Sequence, residues 1–162
     1  MDKNTLINTL ELRPHREGGF YRRTYTAPFG DGRATLSSIY YLLTQDSPIG
    51  HWHRNQSDIM HYWQLGAPLH YRVIDERGGL QQICLGPNLS LGQQLQLLVP
   101  AGCWKASYLA DGDYGLISEA VTPGFCESER DLADAQQLAQ DFPQHRAIIE
   151  QLAIARPGYP NE

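Results

Sequence analysis

Between residues 19 and 121 the chain is a train of short runs rich in Tyr, Val, Ile, Thr and Phe, broken at close intervals by turn residues. The runs cover 19–25, 34–43, 50–54, 58–65, 69–74, 81–85, 94–99, 105–109 and 114–121. The breaks include Gln45-Asp46-Ser47-Pro48, Gly66-Ala67-Pro68, Arg77-Gly78-Gly79, Gly86-Pro87-Asn88, Pro100-Ala101-Gly102, Asp111-Gly112-Asp113 and Asp31-Gly32. β-Branched and aromatic residues suit a pleated, half-buried surface, while Gly, Pro, Asn and Asp supply turn geometry. Strands this close together leave no room for parallel crossovers, so the fold class is mainly β, an antiparallel sandwich or barrel. Helical spacing occurs at the two ends. Leu6, Ile7 and Leu10 follow Asn4, a candidate N-cap, and predict a short helix over 4–12 that Pro14 helps to end. Leu132, Ala135, Leu138 and Ala139, then Ile148, Ile149 and Leu152 beyond Pro143, predict one or two terminal helices that cover a barrel end or a sheet face. The tail Arg156-Pro157-Gly158-Tyr159-Pro160 is too short and too rich in Pro and Gly to pack as an element.

At 162 residues the chain is expected to be one domain that buries its core without disulfides or a structural metal. Its formal charge of −5 argues against general nucleic-acid binding, which needs a basic face. The local picture differs, because Arg13, His15, Arg16, Arg22 and Arg23 lie close together and could meet a small anion. Cys84, Cys103 and Cys126 have no zinc-ribbon or redox spacing and read as reduced, mostly buried thiols. The first residues do not form an apolar signal segment, and no run of eighteen apolar residues occurs. A soluble, cytoplasmic protein without membrane contact is expected.

One short pattern, His51-Trp52-His53, carries chemistry. His51 and His53 would point about 200° apart on a helix, but on a strand they lie on one face and converge, as a metal site or a polar pocket requires. The spacing is of moderate specificity, since two such histidines can also bond each other or solvent. Of Tyr40 and Tyr41, successive residues of one strand, one must point outward. Trp104, after a turn glycine, is expected to pack, and Pro123-Gly124-Phe125 to form the turn that leaves the barrel.

These residues resemble a known pattern. His51, His53, Gly66, Pro100 and Gly102 match the two motifs of the cupins, the first built on His-x-His and a later Glu and Gly, the second on Pro-x-Gly and a later His. More narrowly the chain is similar to the cupin 5 branch, related in fold to the deoxythymidine-diphosphate-sugar epimerases. That likeness rests on Pro14-His15-Arg16-Glu17-Gly18-Gly19-Phe20-Tyr21, Ile39-Tyr40-Tyr41-Leu42-Leu43, Gly66-Ala67-Pro68-Leu69, Val99-Pro100-Ala101-Gly102-Cys103-Trp104 and Val121-Thr122-Pro123-Gly124-Phe125. It implies a jelly roll, or double-stranded β-helix, with the barrel over about 14–125 and a C-terminal helical extension over about 128–155. The departures are as informative. Ile59 stands where the family has its metal-binding glutamate, and Lys105 where it has the last histidine; Asp58 faces the other way on a regular strand. His61-Tyr62 replaces a Trp-His dipeptide, and Arg23 an acid. With both interior carboxylates replaced, the resemblance implies a basic and aromatic pocket, His51, His53, Lys105 and Arg23 walled by Tyr21, Tyr40 and Tyr62, with no metal and no cofactor.

Three functions fit this pocket. One is an epimerase-like or isomerase-like enzyme acting on a sugar-like or anionic small molecule, with His53 or His51 as base, Lys105 steadying an enolate and Tyr62 returning the proton. Another is a non-catalytic module that binds such a ligand. A third, metal-dependent chemistry on His51 and His53, would need a further ligand such as His61 on a bulged strand. Sheet edges make a homodimer the expected assembly.

Overall fold

The computed structural model of the protein describes residues 1–28 and 32–154; the Arg156 to Pro160 tail and Asp31 of the first break lie outside them. A short helix α1 (Lys3–Thr9) precedes strands β1 (Arg13–Pro14), β2 (Phe20–Ala27), β3 (Leu36–Thr44), β4 (Ile49–Asn55), β5 (Asp58–Gly66), β6 (Leu69–Ile74), β7 (Leu80–Leu85), β8 (Gln96–Val99), β9 (Trp104–Leu109) and β10 (Tyr114–Thr122). Strand β11 (Arg130–Leu132) and helices α2 (Ala135–Asp141) and α3 (Arg146–Gln151) follow. The strands form two antiparallel sheets, one ordered β1-β2-β3-β10-β5-β8 and the other β11-β4-β9-β6-β7. This is the expected jelly roll. All nine runs are strands, and the run over 69–74 agrees with β6 at both ends.

Three local expectations change. The helix starts one turn-residue earlier, capped by Asp2, whose carboxylate accepts from the Thr5 amide at 3.0 Å and the Thr5 hydroxyl at 2.8 Å. Asn4 lies inside it. β11 falls in the stretch read as helical, because it pairs Arg130 with Asn55, Asp131 with Arg54 and Leu132 with His53 and so extends the second sheet by one edge. Of the three thiols, Cys103 is buried while Cys84 and Cys126 are half-buried.

The core follows from strand alternation. Tyr41, Leu43, Leu69, Tyr71, Leu85, Val99 and Ile117 meet between the sheets. The opposite faces are covered by helices: Leu42 and Leu116 pack under Leu6 and Leu12, whereas Trp52, Ile74 and Ala106 pack under Leu138, Ala139, Ile149 and Leu152. The terminal helices thus cover a sheet face. Among the described residues no helix is long and apolar enough to cross a membrane.

Trp52 is 1% exposed and its indole N–H has no hydrogen-bond partner, so it acts through packing alone. Trp52→Ala is expected to cost about 3–5 kcal/mol. Trp52→Phe, which keeps much of the contact and removes the unpaired donor, is expected to cost well under half of that. Denaturant unfolding of the two variants checks the ratio.

Candidate functional site

Between the sheets, at the end where the turn after β1 and the segment after β10 cross the barrel, lies a cavity of about 80 Å³. Its polar walls include His15, Glu17, Arg23, His53, Glu119, Glu127 and Arg130, and its apolar walls include Tyr21, Ile39, Ile59 and Phe125. The turn that carries Glu17 is held tightly. Its main-chain oxygen accepts from the His51 amide at 2.6 Å, and the Gly18 oxygen accepts from the Tyr41 hydroxyl at 2.9 Å. Gly18 has φ +94°, and a Cβ there would stand 2.1 Å from the Ile49 oxygen, so only glycine lets this turn lie against β4.

His53 and Glu17 form the first polar cluster. His53 Nδ1 lies 2.8 Å from the His51 carbonyl, which can only accept, so Nδ1 carries the proton of the neutral ring. Its Nε2 lies 3.2 Å from Glu17 Oε2, and a contact between that lone pair and a carboxyl oxygen needs a proton between them unless a cation bridges the two. Burial, reinforced by the Lys105 charge, lowers the His53 pKa to about 3, and burial raises that of Glu17. Both shifts favour the Glu17 side for a proton held between the two, and Glu17 Oε1 accepts from Arg130 Nη1 at 3.2 Å. Arg130 also binds Glu127, and the Glu17 amide donates to His15 Nδ1 at 3.3 Å.

Beneath this lies a second cluster. His61 Nδ1 donates to the Leu97 carbonyl at 3.3 Å, which leaves Nε2 as an acceptor for the Lys105 ammonium at 2.7 Å. Lys105 Nζ reaches Glu119 Oε1 at 3.4 Å, and His61 Nε2 is 3.3 Å from the same oxygen. Burial alone would raise the Glu119 pKa, but Lys105, with His61, overrides it and holds the carboxyl well below its ordinary range. Glu119 Oε1 thus takes both internal contacts. Glu119 and His61 are register partners on one sheet, as His53 and Lys105 are on the other, so two pairs face each other across the barrel.

Comparison with known proteins bears on this architecture. The family model described as cupin superfamily (DUF985) matches residues 4–133. This chain belongs to the cupin superfamily. A Saccharomyces cerevisiae protein named as uncharacterised is 37% identical over 140 residues, covering 74% of this chain and 69% of its own. The structure of a hypothetical protein from Leishmania major superposes with a TM-score of 0.89 at 30% identity, covering 94% of this cupin and 99% of the other chain. A Shewanella oneidensis protein superposes with a TM-score of 0.90 at 35% identity, covering 95% and 98%. Bacillus subtilis oxalate decarboxylase, at 17% identity and a TM-score of 0.57, shares the fold over 36% of its length.

Within this cupin the structure brings His53, Arg23 and Tyr21 together in the cavity and sets Lys105 just beneath it. It does not bring in His51, Tyr40 or Tyr62. Strand β4 is bulged between Gly50 and His53 against β9, so the alternation that would align the two histidines is broken, and His51 Nδ1 turns to the Leu152 carbonyl at 3.1 Å. Tyr40 packs on the α1 side of its sheet, while Tyr41 faces the core. Tyr62 alternates with the inward-facing Ile59, His61 and Trp63 and is absent from the cavity wall. The interior acids are present after all. Glu17 and Glu119 replace the pair expected at other positions, and Glu119 was legible, since it alternates with the inward Ile117 and Val121. Asp58 faces out, as expected, and accepts from the Ala101 amide at 2.8 Å.

The metal-binding positions of the cupin pattern do not fit a metal here. His51 is turned away, His53 Nε2 faces Glu17, Ile59 has no lone pair and Lys105 presents an ammonium.

The pH dependence has a definite sign. His53 binds its proton below its ordinary pKa of 6.5, so its contribution to stability is present above about 6.5 and is lost as pH falls toward 3. Glu119 acts in the same direction below its ordinary 4.5, while Glu17, shifted upward, opposes it by losing stability as pH rises above 4.5. Denaturant midpoints between pH 6.5 and 4.5 are expected to fall on acidification, because burial lowers the pKa values of His15 and His61 as well, so that three imidazoles take up protons on unfolding against the one that Glu17 gives up, each by at most about 1.4 kcal/mol per pH unit. His53→Gln is expected to flatten that slope.

Proposed function

We propose that the cavity binds a small, hydroxylated, sugar-like anion without a resident metal. Arg23 carries the reading. Its guanidinium lies in the cavity wall with Cζ 5.4 Å from the Phe125 ring centroid, its buried Nε has no hydrogen-bond partner, and no carboxylate pairs with it among the described residues. A half-desolvated guanidinium is best matched by a carboxylate or phosphate, whose oxygens accept two parallel hydrogen bonds. Glu119 supplies the complement for hydroxyl groups, because Lys105 and His61 occupy Oε1 and leave Oε2 as the acceptor on the cavity wall. Tyr21 and Phe125 give the apolar faces on which a sugar ring can lie.

A second reading, isomerisation or epimerisation of that ligand, rests on the single proton shared by Glu17 and His53. A proton taken from a ligand carbon by this couple and returned to it, or to its neighbour, leaves the couple with its original proton, so the step needs no co-reactant. Tyr62, on the outer face, and Lys105, bound to His61 and Glu119, take no direct part in it.

Thermal-shift measurements with sugar phosphates and sugar acids, each set against its neutral sugar, test the binding. The anions are expected to raise Tm by a few degrees at saturating concentration, and Arg23→Met to abolish the rise. Equal shifts from the neutral sugars, or shifts that survive Arg23→Met, contradict the reading. For an anion that binds, proton NMR in D2O separates the two functions. Deuterium entering a ligand carbon, lost in both His53→Asn and Glu17→Gln, marks the isomerase; binding without exchange marks the binding module.

A further inference from the structure

The geometry points to Lys105 as the resident cation of the barrel: its tethered ammonium occupies a built cation site formed by His61 Nε2 and Glu119 Oε1, and thereby keeps divalent ions out. Neither of these two ligands stands at a metal position of the cupin pattern. Both turn lone pairs on the same point. The Leu97 carbonyl fixes the His61 proton on Nδ1, so Nε2 is a bare donor aimed at Nζ, 2.7 Å away. Glu119 Oε1 lies 3.4 Å from Nζ and 3.3 Å from Nε2, so the imidazole nitrogen, the carboxylate oxygen and the ammonium form a closed triangle. Its side chains are 0%, 11% and 4% exposed, respectively.

An imidazole nitrogen and a carboxylate oxygen that converge in a dry interior are a divalent ion's preferred donors. Here their common target is a lysine nitrogen delivered from the opposite sheet. The ammonium satisfies both acceptors at once and repels any second cation at this range. A lysine at this position therefore does more than delete a metal ligand. It supplies the positive charge that the site is shaped to hold, through a chain that cannot dissociate. This assignment does not depend on what the cavity binds.

The test removes the tether and offers the site free cations. Lys105→Ala deletes the three outer methylenes and the ammonium, and n-propylammonium has the matching shape. Folded Lys105→Ala is expected to melt below the wild type and to regain much of the difference, saturably, with n-propylammonium, which leaves the wild type unshifted. Lys105→His, which adds a third donor to His61 and Glu119, is expected to take up one Co²⁺ at least tenfold more tightly than the wild type. The visible d–d bands should report an imidazole-carboxylate site, and the added Glu119→Gln should abolish the uptake. A folded Lys105→Ala that n-propylammonium does not stabilise, or a Lys105→His no tighter for Co²⁺ than the wild type, overturns the assignment. Nitrogen-15 NMR of the wild-type protein decides the matter if neither variant folds. His61 is expected as the Nδ1–H tautomer, undisturbed by millimolar Mn²⁺. An Nε2–H tautomer, or selective broadening of His61 by Mn²⁺, contradicts it.

Discussion

The contact on which the rest of the barrel depends is the one between Lys105 and the Glu119–His61 pair, because it joins the two sheets through their shared interior. Lys105 comes from β9 of one sheet; Glu119 and His61 come from β10 and β5 of the other. Apolar side chains between sheets tolerate a small slide at modest cost, since contact is non-directional. A buried ammonium and carboxylate do not. Each must find the other at hydrogen-bonding distance or leave an uncompensated charge, so the cluster fixes the position of β9 over β5 and β10. Everything above it inherits that position. His53 is the register neighbour of Lys105, and Glu119 forms both the floor of the cavity and one side of the ion pair.

The two clusters push their carboxyl groups in opposite directions. Lys105, with His61, holds the Glu119 carboxyl well below its ordinary range, whereas burial pushes the Glu17 carboxyl up. Pairs of titratable groups whose surroundings push their pKa values apart are the usual basis of acid and base assignments. In this cupin the divergence is built by an internal cation and by desolvation. The arrangement leaves Arg23 in the cavity wall without a carboxylate partner among the described residues, and on that residue the proposed anion binding rests.

Much of this was legible in the amino-acid order, and the failures have physical causes. The beat of strand and turn residues marks all nine long strands, because alternation and turn chemistry are local properties. Faces were legible wherever a strand is regular: Ile59, His61 and Trp63 point inward on β5, so His61 and the outward Tyr62 follow from spacing alone. The bulge in β4 is not local in the same sense. It depends on β9 offering one residue, Ala106, against two, His51 and Trp52, and it reverses the inference drawn from His51 and His53. Glu17 and Arg130 meet across more than a hundred residues, one from a turn and the other at the start of a short edge strand, where no periodicity speaks for either. The carboxylates expected at two motif positions had moved to two others, a compensation that spacing within one motif does not report.

A double-mutant cycle on Lys105 and Glu119, read by denaturant unfolding at pH 7, tests this inter-sheet contact most directly. Lys105→Met and Glu119→Gln are each expected to cost about 3–5 kcal/mol, because each leaves its partner buried without an opposite charge. The double variant is expected to cost much less than the sum, with a coupling of at least about 2 kcal/mol. Costs that add within about 0.5 kcal/mol would mean that the two charges do not meet in the barrel, and would contradict the structure at its centre.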